Sequence, residues 1–264
     1  MKLLDRSSCE LDVVTLGECM IRLSPPGHGR IETASMFEVW VGGAEYNVAY
    51  ALSRFGLRTS WIGGLVDNPV GKIILNHARA AGVDTTHVVT LPYDGIGREG
   101  RVGLNFTEVG TGPRASVTIY DRGYSATSNM TSSSVDWEAL FTKRKVRWLH
   151  TGGIFTCLSS STREVAAQAI AAANAAGTFV SYDLNFRSKL WTSEQAIATT
   201  KPLIPYIDCL IGNEEDFTAC LGFEARGVDE NISAIEIDAF KNMINTAVQE
   251  FPNFKVTATT LRAV

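Results

Sequence analysis

Ala175-Ala176-Gly177-Thr178-Phe179-Val180-Ser181-Tyr182-Asp183-Leu184-Asn185-Phe186-Arg187 carries the chain from a helical pattern into a strand and then into a group of polar side chains. A helix predicted from about Ser160 to Ala176 stops at Gly177, a residue that takes the left-handed capping conformation without a Cβ clash. Thr178 to Asp183 follows as a strand. The same alternation continues on both sides, with a strand at Val146 to His150 before it and a helix from Ser193 and a strand at Asp208 to Ile211 after it. Strands separated by helices of this length predict an α/β fold with a mostly parallel sheet covered on both faces.

Working outward, Asp12 to Gly17 is a short apolar run ending in glycine, the expected first central strand. Glu18 to Val41 mixes short alternating stretches with Ser24-Pro25-Pro26-Gly27 and has no helical period, so it is predicted to leave the main sheet. Tyr46, Val48, Ala49, Leu52 and Phe55 mark an amphipathic helix closed by Gly56, followed by a strand at Arg58 to Ile62 and a helix from Pro69 to about Ala81. Arg101 to Asp121 breaks the rhythm. Val102, Leu104 and Phe106, then Val117 and Ile119, lie at strand spacing around Gly110-Thr111-Gly112-Pro113, which predicts a β-hairpin. The two β-rich excursions, about 18–41 and 92–125, are expected to form a lid on one domain spanning 1–264, without repeats or linker-like boundaries.

The 264 residues are 45% hydrophobic and 20% charged, enough apolar material for a large core in a soluble protein. A formal net charge of −4 and the lack of a Lys/Arg run argue against a nucleic-acid surface, which needs many cations to displace phosphate counterions. Cys9, Cys19, Cys157, Cys209 and Cys220 are widely spaced, odd in number and form no Cys-x-x-Cys, so they suggest neither a disulfide framework nor a zinc site. Acidic residues within Met1 to Asp12 stand where a signal peptide needs an apolar core, and no apolar run reaches spanning length. A cytoplasmic protein acting on a metabolite, with no membrane partner, is expected.

Four groups of residues are candidates for chemistry. Asp183, Asn185 and Arg187 stand at i, i+2 and i+4, so on an extended chain they point to one side at the C-terminal end of a strand, where α/β sheets bind ligands. Polar residues that merely solvate a loop would look the same. Gly42-Gly43 directly precedes a helix whose first turn holds Asn47, an arrangement that lets backbone approach a ligand closely or simply serves the turn. Tyr120-Asp121-Arg122 offers an aromatic hydroxyl and a cation at the end of the hairpin. Gly212-Asn213-Glu214-Glu215-Asp216 opens a helix with carboxylates able to hold hydrated Mg2+, although acidic first turns are also favoured by the helix dipole. Gly95-Ile96-Gly97-Arg98-Glu99-Gly100 fits GxGxxG letter for letter, but a strand rather than a helix is predicted after it, which discounts dinucleotide binding. Walker A, His-Glu-x-x-His and Gly-x-Ser-x-Gly sequences do not occur, and the four histidines are scattered.

Taken in order, Gly17-Glu18, Gly42-Gly43 with Asn47, Tyr120-Asp121-Arg122 with Ser125-Ala126, Asp183-x-Asn185-x-Arg187 with Leu190-Trp191, and Asn213-Glu214-Glu215 resemble the ribokinase-like, or PfkB, carbohydrate kinases. The pattern is most similar to that of the 2-keto-3-deoxygluconate kinase branch and runs from about Asp12 to Val264. The resemblance implies a three-layer α/β/α sandwich with a β-lid, ATP and Mg2+ as cofactors, a small sugar or sugar acid as substrate, and homodimers paired through the lid. It puts Gly43, Asn47, Tyr120, Arg122 and Arg187 around the sugar, Asn185 and Asn213 near ATP, and Asp216 at the metal, where the family has a longer glutamate. The two arginines suit an acid sugar; a neutral one would leave them without an anionic partner. The chain's last residues, Lys255 to Val264, resemble a strand at the edge of the ATP site, and the Gly-Ala-Gly-Asp segment that follows in the family lies beyond Val264. The resemblance therefore implies a domain truncated at its C-terminus, with no catalytic base among the 264 residues and no turnover by them alone. The alternatives are a kinase for fructose or 5-dehydro-2-deoxygluconate, a non-catalytic sugar-binding protein, and, resting only on the discounted glycine match, a nicotinamide oxidoreductase.

Overall fold

The computed structural model describes residues 3–223 and 237–260. Contacts divide the chain into two compact units, one made of Thr15–Val135 and the other of Met1–Val14 with Asp136–Val264; the division falls inside the first strand, β1 (Val13–Leu16).

In the unit from Thr15 to Val135 the elements run β2 (Met20–Ser24), β3 (Glu38–Gly42), α1 (Ala44–Arg54), β4 (Thr59–Ile62), β5 (Gly64–Val66), α2 (Pro69–Ala80), β6 (Val89–Leu91), β7 (Leu104–Glu108) and β8 (Val117–Asp121). The excursion before α1 and the predicted hairpin meet in one four-stranded sheet of order β3-β2-β7-β8. Its outer pairs are antiparallel and its central pair, β2 with β7, is parallel. Register fixes which side chains share a face. Arg22 lies opposite Trp40 and Asn105, and Asn105 opposite Tyr120; one residue on, Leu23 lies opposite Val39 and Phe106, and Phe106 opposite Ile119. Successive side chains on a strand point to opposite faces, so the sheet has a polar row on one side and an apolar row on the other.

Trp61, Tyr46 and Ile74 are fully buried in this unit's core, and their polar atoms are matched: Trp61 Nε1 donates to Gly17 O at 3.0 Å, and the Tyr46 hydroxyl meets His77 Nδ1 at 2.7 Å. Burial pushes His77 down from its ordinary value, in keeping with a neutral imidazole in this contact. A small parallel pair, β5 with β6, was not legible in the sequence.

The second unit runs β9 (Trp148–Gly152), α3 (Gly153–Thr156), α4 (Ser160–Ala175), β10 (Phe179–Asp183), α5 (Ser193–Thr200), β11 (Cys209–Gly212), α6 (Glu214–Leu221), α7 (Ile237–Glu250) and β12 (Val256–Thr259). β9, β10, β11 and β12 pair in that order, all parallel. α4 starts at a capping box in which Ser159 and Thr162 each bond the other's backbone N–H, and it buries Val165, Ala166, Ala169, Ile170 and Ala173 on one side. Gly177 takes φ +74° just past its end, the conformation the sequence called for.

Two expectations are shifted. The strand predicted at Val146 to His150 is paired from Trp148 to Gly152, and Val146 instead bridges Leu11. The terminal strand is Val256–Thr259, and residues 261–264 lie outside the described residues. No described helix is long and apolar enough to cross a membrane.

Candidate functional site

Each unit holds part of the predicted constellation. In the first, a cavity of about 670 Å3 is lined by the polar row of the sheet together with Gly42, Gly43 and Asn47. Gly43 is the N-cap of α1, and a Cβ there would come within 1.9 Å of the Glu18 carbonyl oxygen, so only glycine lets the Glu18 backbone and the helix start approach this closely. The Asn47 amide oxygen accepts from Gly43 N at 3.4 Å, which holds the side chain over the helix start. Tyr120 is 53% exposed and lines the same cavity. The structure thus brings Gly43, Asn47 and Tyr120 together.

Arg122 has a different setting. Its guanidinium pairs with the Glu18 carboxylate, with side-chain exposures of 10% and 2%, and it lies 5.8 Å from the Tyr120 ring centroid rather than among the cavity's lining residues. Between them, Asp121 is gripped by Arg101 through two parallel bonds, which lowers the Asp121 carboxyl and raises Arg101. Sequence reasoning missed Arg22 and Trp40, which line the cavity. Their signal was the alternation Met20, Arg22, Ser24 in a segment otherwise apolar.

In the second unit, Asp183, Asn185 and Arg187 do not share one side of an extended chain as the spacing predicted. β10 ends at Asp183, and Asn185 takes φ +38°, a left-handed turn that asparagine tolerates better than most residues. The turn aims Phe186 N at Asp216 Oδ1, 2.8 Å away, while Arg187 is exposed and donates to Phe186 O at 2.7 Å. Asn213 is the N-cap of α6, and its Oδ1 accepts from Asp216 N at 2.9 Å while Asp216 Oδ2 accepts from Asn213 N at 2.9 Å. Both Asp216 oxygens therefore serve backbone amides, a structural use the sequence did not reveal. Asp183 is pushed up to about 6, mainly by burial and then by Asp216, against the pull of Arg187.

Among the described residues no group of three or more His, Cys, Asp or Glu side chains forms a metal cage. Mg2+ needs no such cage, because it keeps most of its waters and takes one or two carboxylates plus substrate phosphates. The donors fit that use: Glu214 Oε2 is buried without a hydrogen-bond partner, and the raised Asp183 carboxyl lies in a site that favours a cation. The Gly95 to Gly100 stretch is a turn in which Asp94 accepts the backbone N–H groups of residues 96–99, and no helix follows it.

The family model of the pfkB family carbohydrate kinases matches residues 10–247. The chain belongs to that family. Among its relatives, 2-dehydro-3-deoxygalactonokinase of Haloferax volcanii is 38% identical over 80% of this chain and 63% of its own length. The 5-dehydro-2-deoxygluconokinase of Shouchella clausii is 30% identical over 84% of this chain and 65% of its own length, so the chain spans less than two thirds of either relative. The crystal structure of 2-dehydro-3-deoxygluconokinase from Thermotoga maritima superposes with a TM-score of 0.85 at 36% identity, covering 96% of this chain and 71% of that one. A pfkB family carbohydrate kinase from Listeria grayi gives 0.82 at 29% identity, with 96% and 72% coverage. The fold is the ribokinase-like α/β architecture of these kinases.

Proposed function

We propose that the protein is an ATP-dependent kinase of a small sugar acid, with 2-keto-3-deoxygluconate as the leading substrate. The observation that carries this reading is the cavity floored by Gly42 and Gly43, with Asn47 and Tyr120 beside it, in a chain similar to kinases named for 2-dehydro-3-deoxy and 5-dehydro-2-deoxy sugar acids. Gly43 allows the sugar to lie against backbone, Asn47 and Tyr120 hold its hydroxyls, and Arg122, next to Tyr120, supplies positive charge toward its acid group. Asn185 and Asn213 would orient the nucleotide, and Asp183 and Glu214, with Asp216 beside them, would hold a hydrated Mg2+ that neutralises phosphate charge. Bound ATP supplies the phosphoryl group, whose charge Mg2+ spreads. No described residue is assigned the role of general base.

Calorimetric titration and an ATP-dependent phosphorylation assay test this, using 2-keto-3-deoxygluconate, 2-keto-3-deoxygalactonate, 5-dehydro-2-deoxygluconate and fructose. Tighter binding of the acids than of fructose is expected, and any phosphorylation is expected to follow the same order. Preference for fructose would move the protein to the neutral-sugar kinases, and binding without any phosphorylation would favour a sugar-binding protein. Two copies pair through the apolar row of the sheet, a reading supported by the 52% exposure of both Val39 and Ile119. Sedimentation velocity is expected to show a dimer that Ile119→Lys converts to monomer; a monomeric wild type ends that part of the proposal.

A further inference from the structure

We infer that Glu18 is the positioning residue of the sugar site, holding the Arg122 guanidinium in place beside Tyr120 so that it can meet an acid group; the inference rests on the sugar-acid reading above. Glu18 lies in the connection between β1 and β2, and its side chain is 2% exposed. Taking a carboxylate that far out of water is costly unless a cation answers it. Arg122 is that cation: its Nη2 donates to Glu18 Oε2 across 104 positions of sequence, and its own side chain is 10% exposed.

Two parts of the site meet at residue 18. Its carbonyl oxygen is the atom that excludes a Cβ from Gly43 on the cavity floor, and its carboxylate anchors the residue just past the end of β8. Tyr120, two residues before Arg122, lines the cavity, and its ring centroid is 5.8 Å from the guanidinium carbon. Room for the pair comes from Gly103, where a Cβ would stand 3.1 Å from Glu18 Oε1 and 3.5 Å from Arg122 Cβ. Gly103 takes no left-handed φ, so what this glycine supplies is space. The pair is also unsaturated. Glu18 Oε1 and Arg122 Nε are both buried without a partner, and these are the two atoms that a second bond, parallel to the first, joins in a side-on fork. Such a fork leaves Nη1 over for a ligand carboxylate. Arg122 can therefore serve an acid ligand without releasing Glu18. Without Glu18 it is a buried cation with no counter-charge, and it turns toward water and away from the place where the ligand needs it.

The test titrates wild type, Glu18→Gln, Glu18→Asp, Arg122→Met and the double variant Glu18→Gln/Arg122→Met with 2-keto-3-deoxygluconate and with 3-deoxyfructose, in which a hydroxymethyl group replaces the carboxylate. Glu18→Gln is expected to weaken the acid by roughly 10- to 100-fold, the range for losing a hydrogen-bonded charge, and the neutral sugar by less than about threefold. Glu18→Asp keeps the charge but draws Arg122 back by one methylene, so its loss should fall between wild type and Glu18→Gln and again touch the acid alone. In the Arg122→Met background, adding Glu18→Gln should change acid binding by less than about threefold, because a residue that acts through Arg122 has nothing left to act on. If Glu18→Gln does not fold, Glu18→Asp carries the same comparison of acid with neutral sugar. Equal loss of both sugars, tighter binding of the acid by Glu18→Gln, or a full further loss in the Arg122→Met background overturns the positioning role of Glu18 and leaves the sugar site intact. A wild type that does not favour the acid over the neutral sugar, or an Arg122→Met variant that binds the acid as well as wild type, overturns the sugar-acid reading itself, and the inference with it.

Discussion

The cavity around Gly43 and the turn around Asp216 use polar residues in opposite ways. In the cavity, Arg22, Trp40 and Tyr120 are exposed and make few bonds to the protein, while the constraint is steric: a glycine where no Cβ fits. The side chains of Asp216 and Asn213 are already matched, since the two Asp216 oxygens accept from Phe186 and Asn213, and Asn213 answers with its own side chain. Both regions were read from the sequence as binding sites. The first has the open valences that ligands need; the second holds a strand end and a helix start together, and any ligand it takes must share groups that also hold the fold.

That distinction makes Asp216→Ala the most damaging change. Two backbone N–H groups, at Phe186 and Asn213, would lose their acceptors in a largely buried setting, and α6 would lose half of its capping box. At about 1 to 3 kcal/mol for each buried donor left unsatisfied, the expected loss is about 3 to 5 kcal/mol in denaturant unfolding. Asp216→Asn keeps one acceptor and should recover roughly half of that loss, about 2 kcal/mol. The comparison breaks if Asp216→Ala unfolds like wild type, because its bonds would then be dispensable and a ligand-facing role would be the better account. It sharpens if Tyr120→Phe, in the other region, changes ligand affinity without changing stability.

What the sequence made legible follows the range of the interactions. Gly177 as a helix stop, the strand leading into Asp183, and Asn213 before an acidic first turn are local: each depends on residues within a few positions, and the structure keeps all of them. The hairpin and the β-rich excursion before α1 were also legible as strands. Their joining was not. The parallel pairing of β2 with β7 sets Arg22 opposite Asn105, and the Glu18 to Arg122 ion pair spans 104 positions; neither contact leaves a mark on its neighbours in sequence. Asn185 was misplaced for a subtler reason. Period-two spacing past Asp183 assumes an extended backbone, and a left-handed asparagine ends that period with none of the warning a glycine gives.

A smaller effect separates the two carboxylates of the Asp216 region. Asp183 is a carboxyl whose ionisation the fold resists: it sits at about 6 because of burial first and the Asp216 charge second. The native state therefore keeps its proton in a range, from about pH 4 to pH 6, where an unfolded chain with an ordinary aspartate near 3.9 has released it. Stability from this group is greatest below that range and declines as pH rises through it, because the folded state binds more protons than the unfolded one. Asp183→Asn removes the titration, so thermal melts between pH 4.5 and 7.5 should lose that downward slope. At pH 7.5 the variant should be more stable than wild type by about 1 to 3 kcal/mol. A bound cation is what would remove the same cost in wild type, so added Mg2+ with nucleotide should stabilise wild type more than Asp183→Asn. Equal slopes in the two proteins would mean that Asp183 is as well served by its surroundings as Asp216 is, and the contrast between the two carboxylates would fall.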